Sequence, residues 1–467
     1  MTAVWCALYI LIIAMVGAAA TCAIIGVRRA SLTEMAALTI ALGLGVTGML
    51  LIWISMLGLV PGRGVILSIG LFALVTLAAL IWRGRFPRPA WPVWERKPIL
   101  ILLTLVPLLA VLGAFAAVLV LSIGFRTMNW DSVVIWGMKA RVMHYFPLTP
   151  RPWYFDDVRF TYSHLDYPLL SSMLTSGVFD IMGTPDDQPS RIVLPMIYAG
   201  QVLLVYVGAR QMLSRLPALL ITLIASCPQF VLVQASMGSA DMPLSMLRAG
   251  TLLYLLRWWD QPRRDDAILC GLFTFFAAMT KSEGLPLALI AAAFFVAPCI
   301  KSLRQREIRI SLAAYFSILA VGLGIWFVWK IGIPHTDENY FARLRLGIIF
   351  GNMHRLGQIL ATMARTTTHW RDWGALWLLI PVAAAIGYPA FRRPHTWMLW
   401  AMLLLHIGLY IFVYIVTPWD LGDLMFNSLD RLLIHIAPAA ALVLAAHFAA
   451  TPRLPIRQPA TGVAITG

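Results

Sequence analysis

Long apolar stretches alternate with short polar segments along almost the whole chain. A membrane-spanning helix needs about 20 consecutive apolar residues, and many of these stretches approach or reach that length. The pattern therefore predicts an all-α polytopic membrane protein with about 13 transmembrane helices. The predicted spans lie near residues 5–27, 36–60, 64–82, 98–124, 191–209, 216–234, 242–258, 267–280, 284–299, 310–331, 374–390, 396–416 and 431–449.

Every second polar segment is rich in lysine and arginine. Because these residues accumulate in the cytoplasmic loops of membrane proteins, they predict the orientation of the chain. We expect a multi-pass protein of the inner (plasma) membrane, with its N-terminus outside and its C-terminus in the cytoplasm. The basic segments are Arg28 with Arg29, residues 83–97, Arg210 with Arg215, Arg263 with Arg264, residues 301–309, and Arg392 with Arg393.

The composition supports the membrane class, because 60% of the 467 residues are hydrophobic and only 12% are charged. The net charge of +15 would suggest nucleic acid in a soluble protein. Here the basic loops account for it, so we expect the bilayer as a partner and no nucleic acid. Residues 1–451 are predicted to form a single transmembrane domain. Residues 452–467, rich in proline, alanine and threonine, are predicted to be a disordered cytoplasmic tail.

Two longer polar segments are predicted on the external side. Residues 125–190 are rich in aromatic residues, with an interfacial helix predicted from Asp131 to Tyr145 and a short helix dipping into the membrane from Tyr167 to Met182. The second segment, residues 332–373, contains further charged residues. They are His335, Asp337, Glu338, Arg343 and Arg345.

Most of the acids and bases suited to chemistry fall on this same external side. This grouping predicts that the protein acts there, since charged groups near the membrane are costly and usually functional. The aromatic residues beside them suit either stacking on sugars or anchoring at the interface. The candidate residues are Asp131, Lys139, His164, Asp166, Asp241, Lys281, Glu283, Asp430 and Arg431, with Trp130 and Tyr167 beside them.

Asp131 follows directly where the chain leaves the fourth predicted span. A carboxylate in such a position can accept a proton from an attacking hydroxyl, but it can equally cap the helix that begins at Ser132. Asp241, close before Pro243, also lies at a helix start, where capping is a serious alternative. Both interpretations stay open for both residues.

Three basic residues are candidates for binding a phosphate. Lys281 lies in a short turn and either pairs with Glu283 or meets an anionic headgroup. Arg431 has the planar guanidinium that suits phosphate. Arg248, inside a predicted span, is expected to contact a lipid phosphate or an internal acid, with snorkelling to the interface as the alternative. The single histidines His406, His435 and His447 are interpreted as packed or hydrogen-bonded core residues.

The order of four motifs resembles the GT-C glycosyltransferases, in particular bacterial members related to protein O-mannosyltransferases and the lipid A aminoarabinose transferase. The motifs are Asp131 at the start of a large external loop, Ala240-Asp241-Met242-Pro243-Leu244, Lys281-Ser282-Glu283-Gly284 and Asp430-Arg431-Leu432-Leu433. The resemblance covers roughly residues 95–450. It implies the GT-C fold, with a large external first loop that is catalytic.

The resemblance also implies an activity. Such enzymes move a sugar from a polyprenyl phosphate carrier to a glycan, lipid or protein acceptor at the external membrane face, without a cofactor or an expected metal. Asp131 would orient or deprotonate the acceptor, Asp241 would shape the same pocket, and Lys281 and Arg431, with Arg248, would bind the donor phosphate. The implied substrate-binding residues are Trp130, Lys139, His164, Asp166, Tyr167, Glu283 and Asp430.

Some relatives have two adjacent acids in the first loop, whereas Trp130 and Ser132 flank Asp131 here. This departure leaves the type of acceptor open. In particular, it leaves open whether the acceptor is a protein, as in protein O-mannosylation. Other functions also remain: an oligosaccharide ligase or polymerase with a diphosphate-linked donor, a lipid or glycan transporter, or a non-catalytic subunit. A transporter predicts charges near the bilayer midplane, while the charges here gather at one surface.

Overall fold

A computed structural model describes residues 1–90, 98–126, 129–300, 303–334, 340 and 343–451. The described chain is almost entirely helical, as predicted. A short parallel pair of strands, β1 (Arg29–Ser31) and β2 (Arg88–Ala90), joins two of the basic loops. Several residues of the sequence predictions lie outside the described residues: Lys301, His335, Asp337, Glu338 and the tail 452–467.

Four long apolar helices form the N-terminal part, close to the predicted spans. They are α1 (Thr2–Ile25), α2 (Leu32–Met56), α3 (Arg63–Trp82) and α4 (Pro98–Gly124). Helices α1 and α2 touch through glycines, since a Cβ on Gly17 would lie 1.8 Å from the Thr39 carbonyl oxygen. A Cβ on Gly43 would lie 2.3 Å from the Ile13 oxygen. Small residues at such crossings let two backbones approach closely.

The first external segment contains the helix predicted from Asp131 to Tyr145. Its first part, Asp131–Gly137, is π-helical, and it continues as α5 (Met138–Tyr145). The second predicted helix is α6 (Leu170–Met182), and α7 (Asp187–Ser190) is a single turn. Both predicted helices are therefore confirmed as helices. The π-helical turn is a local irregularity of the kind that is frequent at functional sites.

The central part of the chain contains seven helices. The span predicted over residues 216–234 is divided between α9 and α10, two helices that meet at a 65° bend, so its continuity was not predicted correctly. The break falls before Pro228, which disfavours a helical conformation at the preceding residue. The seven helices are α8 (Val193–Arg210), α9 (Arg215–Ser226), α10 (Gln229–Met237), α11 (Asp241–Asp260), α12 (Arg264–Ala278), α13 (Gly284–Val296) and α14 (Arg306–Trp329).

The C-terminal part ends in a helix that starts ten residues earlier than the predicted span near 431–449. Asp420 caps it, because its side chain accepts a hydrogen bond from the Asp423 backbone N–H at 2.9 Å. Arg431 therefore lies inside this helix and not at its entry, which corrects the prediction. The helices are α15 (Leu346–Gly351), α16 (Leu356–Thr368), α17 (Trp370–Trp373), α18 (Leu376–Ile386), α19 (Pro394–Val416) and α20 (Leu421–Ala450).

Within the described chain, 8 helices are long and apolar enough to cross a membrane, or up to 9 if α9 and α10 form one bent span. The polytopic class is confirmed, while the count of 13 stays a prediction. Shorter apolar helices include α6 and α18. The structure contains no membrane, so the orientation also stays a prediction.

Helix α11 lies at the centre of the molecule and positions the charged residues described below. Its 20 residues span about 30 Å at the rise of an α-helix, similar to the hydrocarbon core of a bilayer. It packs on α8, α12 and α20, and nearly all its side chains are buried. At its far end Arg257 forms a two-point ion pair with Glu34 of α2. This ion pair therefore holds the far end of the buried helix in place.

Candidate active site

Arg431 connects two carboxylates that belong to different parts of the chain. Its Nη2 atom lies 2.6 Å from Oδ2 of Asp131, and its Nε atom lies 2.8 Å from Oδ2 of Asp241. Asp241 is completely buried, whereas the side chains of Asp131 and Arg431 are each 21% exposed. The guanidinium therefore joins a buried acid to one that solvent can reach.

Asp241 holds two further groups through its other oxygen. Lys281 Nζ lies 2.9 Å from Oδ1, and His435 Nε2 also lies 2.9 Å from it. Lys281 makes a second ion pair with Glu283, at 2.8 Å. We call Asp131, Asp241, Lys281, Glu283, Arg431 and His435 the charged cluster. With three carboxylates and two permanent cations, it has a formal excess of one negative charge.

Neither aspartate acts as the helix cap that its position allowed. Asp241 is the first residue of α11 after Ala240, and no side chain caps this helix. At the π-helical turn, the Asn129 side chain accepts the hydrogen bond from the Ser132 backbone N–H at 3.2 Å. The Asp131 carboxylate is thus available for Arg431. Both carboxylates contact cations on other helices, which local sequence does not reveal.

The turn between α12 and α13 brings Lys281 and Glu283 to the cluster. It is tight because Gly284 approaches the preceding helix so closely that a Cβ would lie 2.1 Å from the Ala277 carbonyl oxygen. Lys281 is 6% exposed. Of the two alternatives for Lys281, the structure shows the pairing with Glu283, together with a contact to Asp241. Contact with an anionic headgroup stays a prediction.

Arg248 lies two turns further along α11 and is 1% exposed. Its Nη1 atom donates to the Tyr410 hydroxyl at 3.3 Å, and its Nη2 atom donates to the Glu283 carbonyl oxygen at 3.5 Å. These contacts differ from both sequence interpretations: the side chain does not snorkel, and no carboxylate among the described residues pairs with it. Including Arg248 would balance the formal charge of the cluster.

His435 is buried and hydrogen-bonded, as predicted for a core histidine, but its contact with Asp241 was not predicted. It lies four residues after Arg431, so both side chains share one face of α20. That spacing was the available signal. Three buried polar atoms around the cluster lack a hydrogen-bond partner among the described residues: Nδ1 of His435, Oε2 of Glu283 and Nε of Arg248. Buried polar atoms usually have partners, so water or substrate is expected to supply them.

Lys139 and His164 form a second polar group in the external segment. Lys139 is fully buried, and its ammonium donates to the carbonyl oxygens of Ser163 and His164 at 2.7 Å each. Burial lowers the pKa of Lys139 to about 7, and the negative charge of Asp166 opposes this shift. The His164 ring stacks on Tyr167 with centroids 4.4 Å apart.

His164 connects this group electrostatically with the charged cluster. Burial lowers the pKa of His164, and the charge of Lys139 lowers it further. Asp166 and Asp131 raise the pKa, while Lys281 lowers it. Since these effects fall with distance, His164 lies within the field of the cluster.

Two other residues that were predicted to bind substrate do not belong to the charged cluster. Asp430 accepts a hydrogen bond from the Trp373 indole at 2.7 Å, and no described hydrogen bond or ion pair joins it to the charged cluster. Trp130 is 64% exposed beside Asp131. Across the described residues, no group of three or more His, Cys, Asp and Glu side chains is arranged to hold a metal ion.

The fold and the cluster define a polytopic membrane protein with a polar site at one end of its central helix. Residues 166–326 match the family model described as dolichyl-phosphate-mannose-protein mannosyltransferase. This match confirms the resemblance to GT-C enzymes, and it supports a membrane glycosyltransferase of that type. No curated protein matches the chain significantly, and no solved structure does.

The matched segment contains only part of the charged cluster. Asp241, Lys281 and Glu283 lie inside it, whereas Asp131, Arg431 and His435 lie outside it. Arg431 and His435 each contact Asp241, and Arg431 also pairs with Asp131. The cluster is thus one spatial unit assembled from three regions of the chain.

Proposed function

We propose that this glycosyltransferase moves a sugar from a polyprenyl phosphate donor to an acceptor hydroxyl at the external face of the plasma membrane. The observation that carries the proposal is the double ion pair of Arg431 with Asp131 and Asp241. It places a phosphate-binding type of side chain against a partly exposed carboxylate. The family match supports sugar transfer as the reaction class.

In the proposed reaction, the acceptor oxygen attacks the anomeric carbon of the sugar. The new carbon–oxygen bond forms as the bond between this carbon and the phosphate oxygen breaks, and the phosphate leaves with the electron pair. The acceptor proton passes to the Asp131 carboxylate, which acts as general base. No external oxidant or other co-reactant is needed.

The cations of the cluster stabilise the leaving phosphate. Charge develops on the phosphate in the transition state, and preplaced cations in a site shielded from water stabilise it strongly. Lys281 and Arg431 fill this role, with Arg248 deeper along α11. Asp241 holds Lys281 and Arg431 in position through its two oxygens.

The pairing of Arg431 with Asp131 links donor binding to base activation. While Oδ2 of Asp131 is paired with Nη2 of Arg431, this oxygen is occupied. A donor phosphate competes with Asp131 for the Nη2 side of Arg431. As the phosphate takes over that contact, Asp131 becomes free to accept the acceptor proton.

The aromatic side chains near the site are suited to bind the sugar. Trp130 is 64% exposed next to Asp131, and Tyr167 stacks with His164 at the edge of the Lys139 group. Flat rings such as these provide apolar contact area together with a polar edge. The acceptor remains a glycan, lipid or protein, since Trp130 and Ser132 flank Asp131 in place of a second acid.

The test is transfer of radiolabelled sugar from polyprenyl phosphate donors in vesicles containing wild-type protein, Asp131→Asn or Asp157→Asn. Asp157 lies in the same external segment and pairs with exposed Arg159, which makes it a matched control. Loss of a general base typically costs about 100-fold or more in rate. We expect this loss for Asp131→Asn and wild-type rates for Asp157→Asn.

Full transfer by Asp131→Asn would refute the assignment of the base. If wild-type vesicles use only diphosphate-linked oligosaccharides, the protein is a ligase or polymerase and not a transferase of single sugars. Movement of the intact lipid across the membrane without transfer would instead identify a transporter.

A further inference from the structure

A small cavity lies beside the π-helical turn that begins with Asp131. Its volume is about 40 Å³, and its walls come from this turn, from α6, α7 and α8, and from the end of α10. Ser132, Trp136 and Arg191 are among the residues that line it. It is separate from the charged cluster, none of whose residues lines it.

Two residues that line the cavity each have a buried N–H donor with no hydrogen-bond partner among the described residues. These donors are Nε1 of Trp136, whose side chain is 3% exposed, and Nε of Arg191, whose side chain is 8% exposed. The other nitrogens of Arg191 donate to the carbonyl oxygens of Phe125 and Ser236. A buried donor without an acceptor is destabilising. A ligand oxygen that accepts hydrogen bonds from these two donors would therefore bind favourably in this cavity.

The charges of the lining residues indicate that the ligand is an anion. No carboxylate among the described residues forms an ion pair with Arg191. The one acid on the wall, Asp187, is already paired with Arg141. A buried cation without a counterion favours an anion, and a guanidinium suits the oxygens of phosphate or carboxylate.

We propose that this cavity binds an anionic oxygen group, a phosphate or carboxylate, of the acceptor substrate. This inference rests on the proposed sugar transfer. A water molecule needs about 10–15 Å³ of such volume, so the cavity takes a small group and not a sugar ring. Trp136 follows Asp131 in the same π-helical turn, so an anion held here anchors the acceptor beside the general base.

Direct binding tests the site without relying on catalysis. Full-length protein in phosphatidylcholine nanodiscs is titrated calorimetrically with inorganic phosphate, acetate and glycerol. Trp136→Phe keeps an aromatic side chain and removes the N–H donor, and Arg191→Gln removes the charge. Trp153→Phe and Arg159→Gln are the controls, since both residues are exposed in the same external segment.

Phosphate or acetate should bind to wild type, and each test variant should weaken this binding about tenfold. Binding of phosphate but not of acetate would identify a phosphorylated acceptor. Binding of acetate but not of phosphate would identify an acceptor with a carboxylate. Repeating the titration in discs with phosphatidylglycerol identifies the source, because a bound lipid headgroup would block soluble phosphate. Equal binding of glycerol would overturn the proposal, and so would binding of an adventitious ion only. Unchanged anion affinity in both folded test variants would also overturn it.

Kinetics then connect the anion site with the acceptor. Trp136→Phe should raise the KM for the acceptor about tenfold and leave kcat and the donor KM unchanged, because uniform binding is lost. A lower kcat with an unchanged acceptor KM would show a structural role and refute acceptor binding. Anion binding by a protein that transfers no sugar would refute the proposed function while showing that the anion site itself exists.

Discussion

Arg431 donates to Asp131 and to Asp241 at the same time, although Asp241 lies 190 positions away from it in the chain. One edge of the guanidinium faces the buried acid and the other faces the partly exposed acid. This geometry uses the planar fork of arginine, which a lysine ammonium lacks. It is the contact through which donor binding and base activation are proposed to communicate.

Arg431→Lys is therefore expected to be far from conservative. The ammonium keeps the charge but cannot hold both carboxylates in fixed directions, so we expect sugar transfer to fall about 100-fold. The rate is measured in vesicles with a saturating donor. Arg365→Lys, an exposed arginine on α16, is the matched control. Wild-type activity in Arg431→Lys would show that charge alone is sufficient.

Asp241→Asn should destabilise the protein more than Asp131→Asn. Asp241 is completely buried between Lys281, Arg431 and His435, so its neutralisation removes the buried counterion that Lys281 and Arg431 share. Breaking such a pair costs about 3–5 kcal/mol. Because Asp131 is partly exposed, Asp131→Asn should lower the free energy of unfolding by about 1 kcal/mol or less. Unfolding in detergent micelles measures both variants, and equal losses would contradict this ranking.

Gly284→Ala should damage the site without altering any charge. A Cβ at this position would lie 2.1 Å from the Ala277 carbonyl oxygen, so the turn that positions Lys281 must move. We expect a loss of activity of about 100-fold, since small misplacements have large effects on catalysis. Gly347→Ala, where a Cβ meets open space, is the control. Equal transfer rates for the two variants would show that the turn tolerates the shift.

Stability should rise with pH because of Lys139. Its pKa is about 7 in the folded protein and 10.5 in an ordinary lysine, so between these values the unfolded chain binds the extra proton. The free energy of unfolding should therefore increase with pH in this window, by at most about 1.4 kcal/mol per unit. Lys139→Met should show a flatter profile in unfolding experiments across the window. Parallel profiles would mean that Lys139 stays charged when folded.

The helical elements were largely predictable from hydropathy alone. The first four helices differ from the predicted spans by a few residues at their ends, because runs of apolar residues have few other stable forms in a membrane. The bend before Pro228 and the early start at Asp420 were not predicted. Both depend on local turn and cap chemistry inside a segment whose overall hydropathy is uniform.

The charged residues were recognised in the sequence, but their relationships were not. Asp131, Asp241, Lys281 and Arg431 stood out as charges near apolar stretches, and the motif order suggested a glycosyltransferase. His435 did not stand out, because a single histidine on an apolar helix is usually a packed core residue, and its spacing of four residues from Arg431 was a weak signal. The cavity beside Trp136 was also not predicted, since residues from four separate segments of the chain line it.

The sequence by itself determined the membrane class, most helix positions and the types of charge available for catalysis. These follow from the transfer of side chains between water and lipid, which depends on each segment alone. Only the tertiary structure decided that Arg431 bridges Asp131 and Asp241, and that His435 joins them. Such contacts depend on the rotation and packing of helices distant in the chain, and hydropathy contains no information about either.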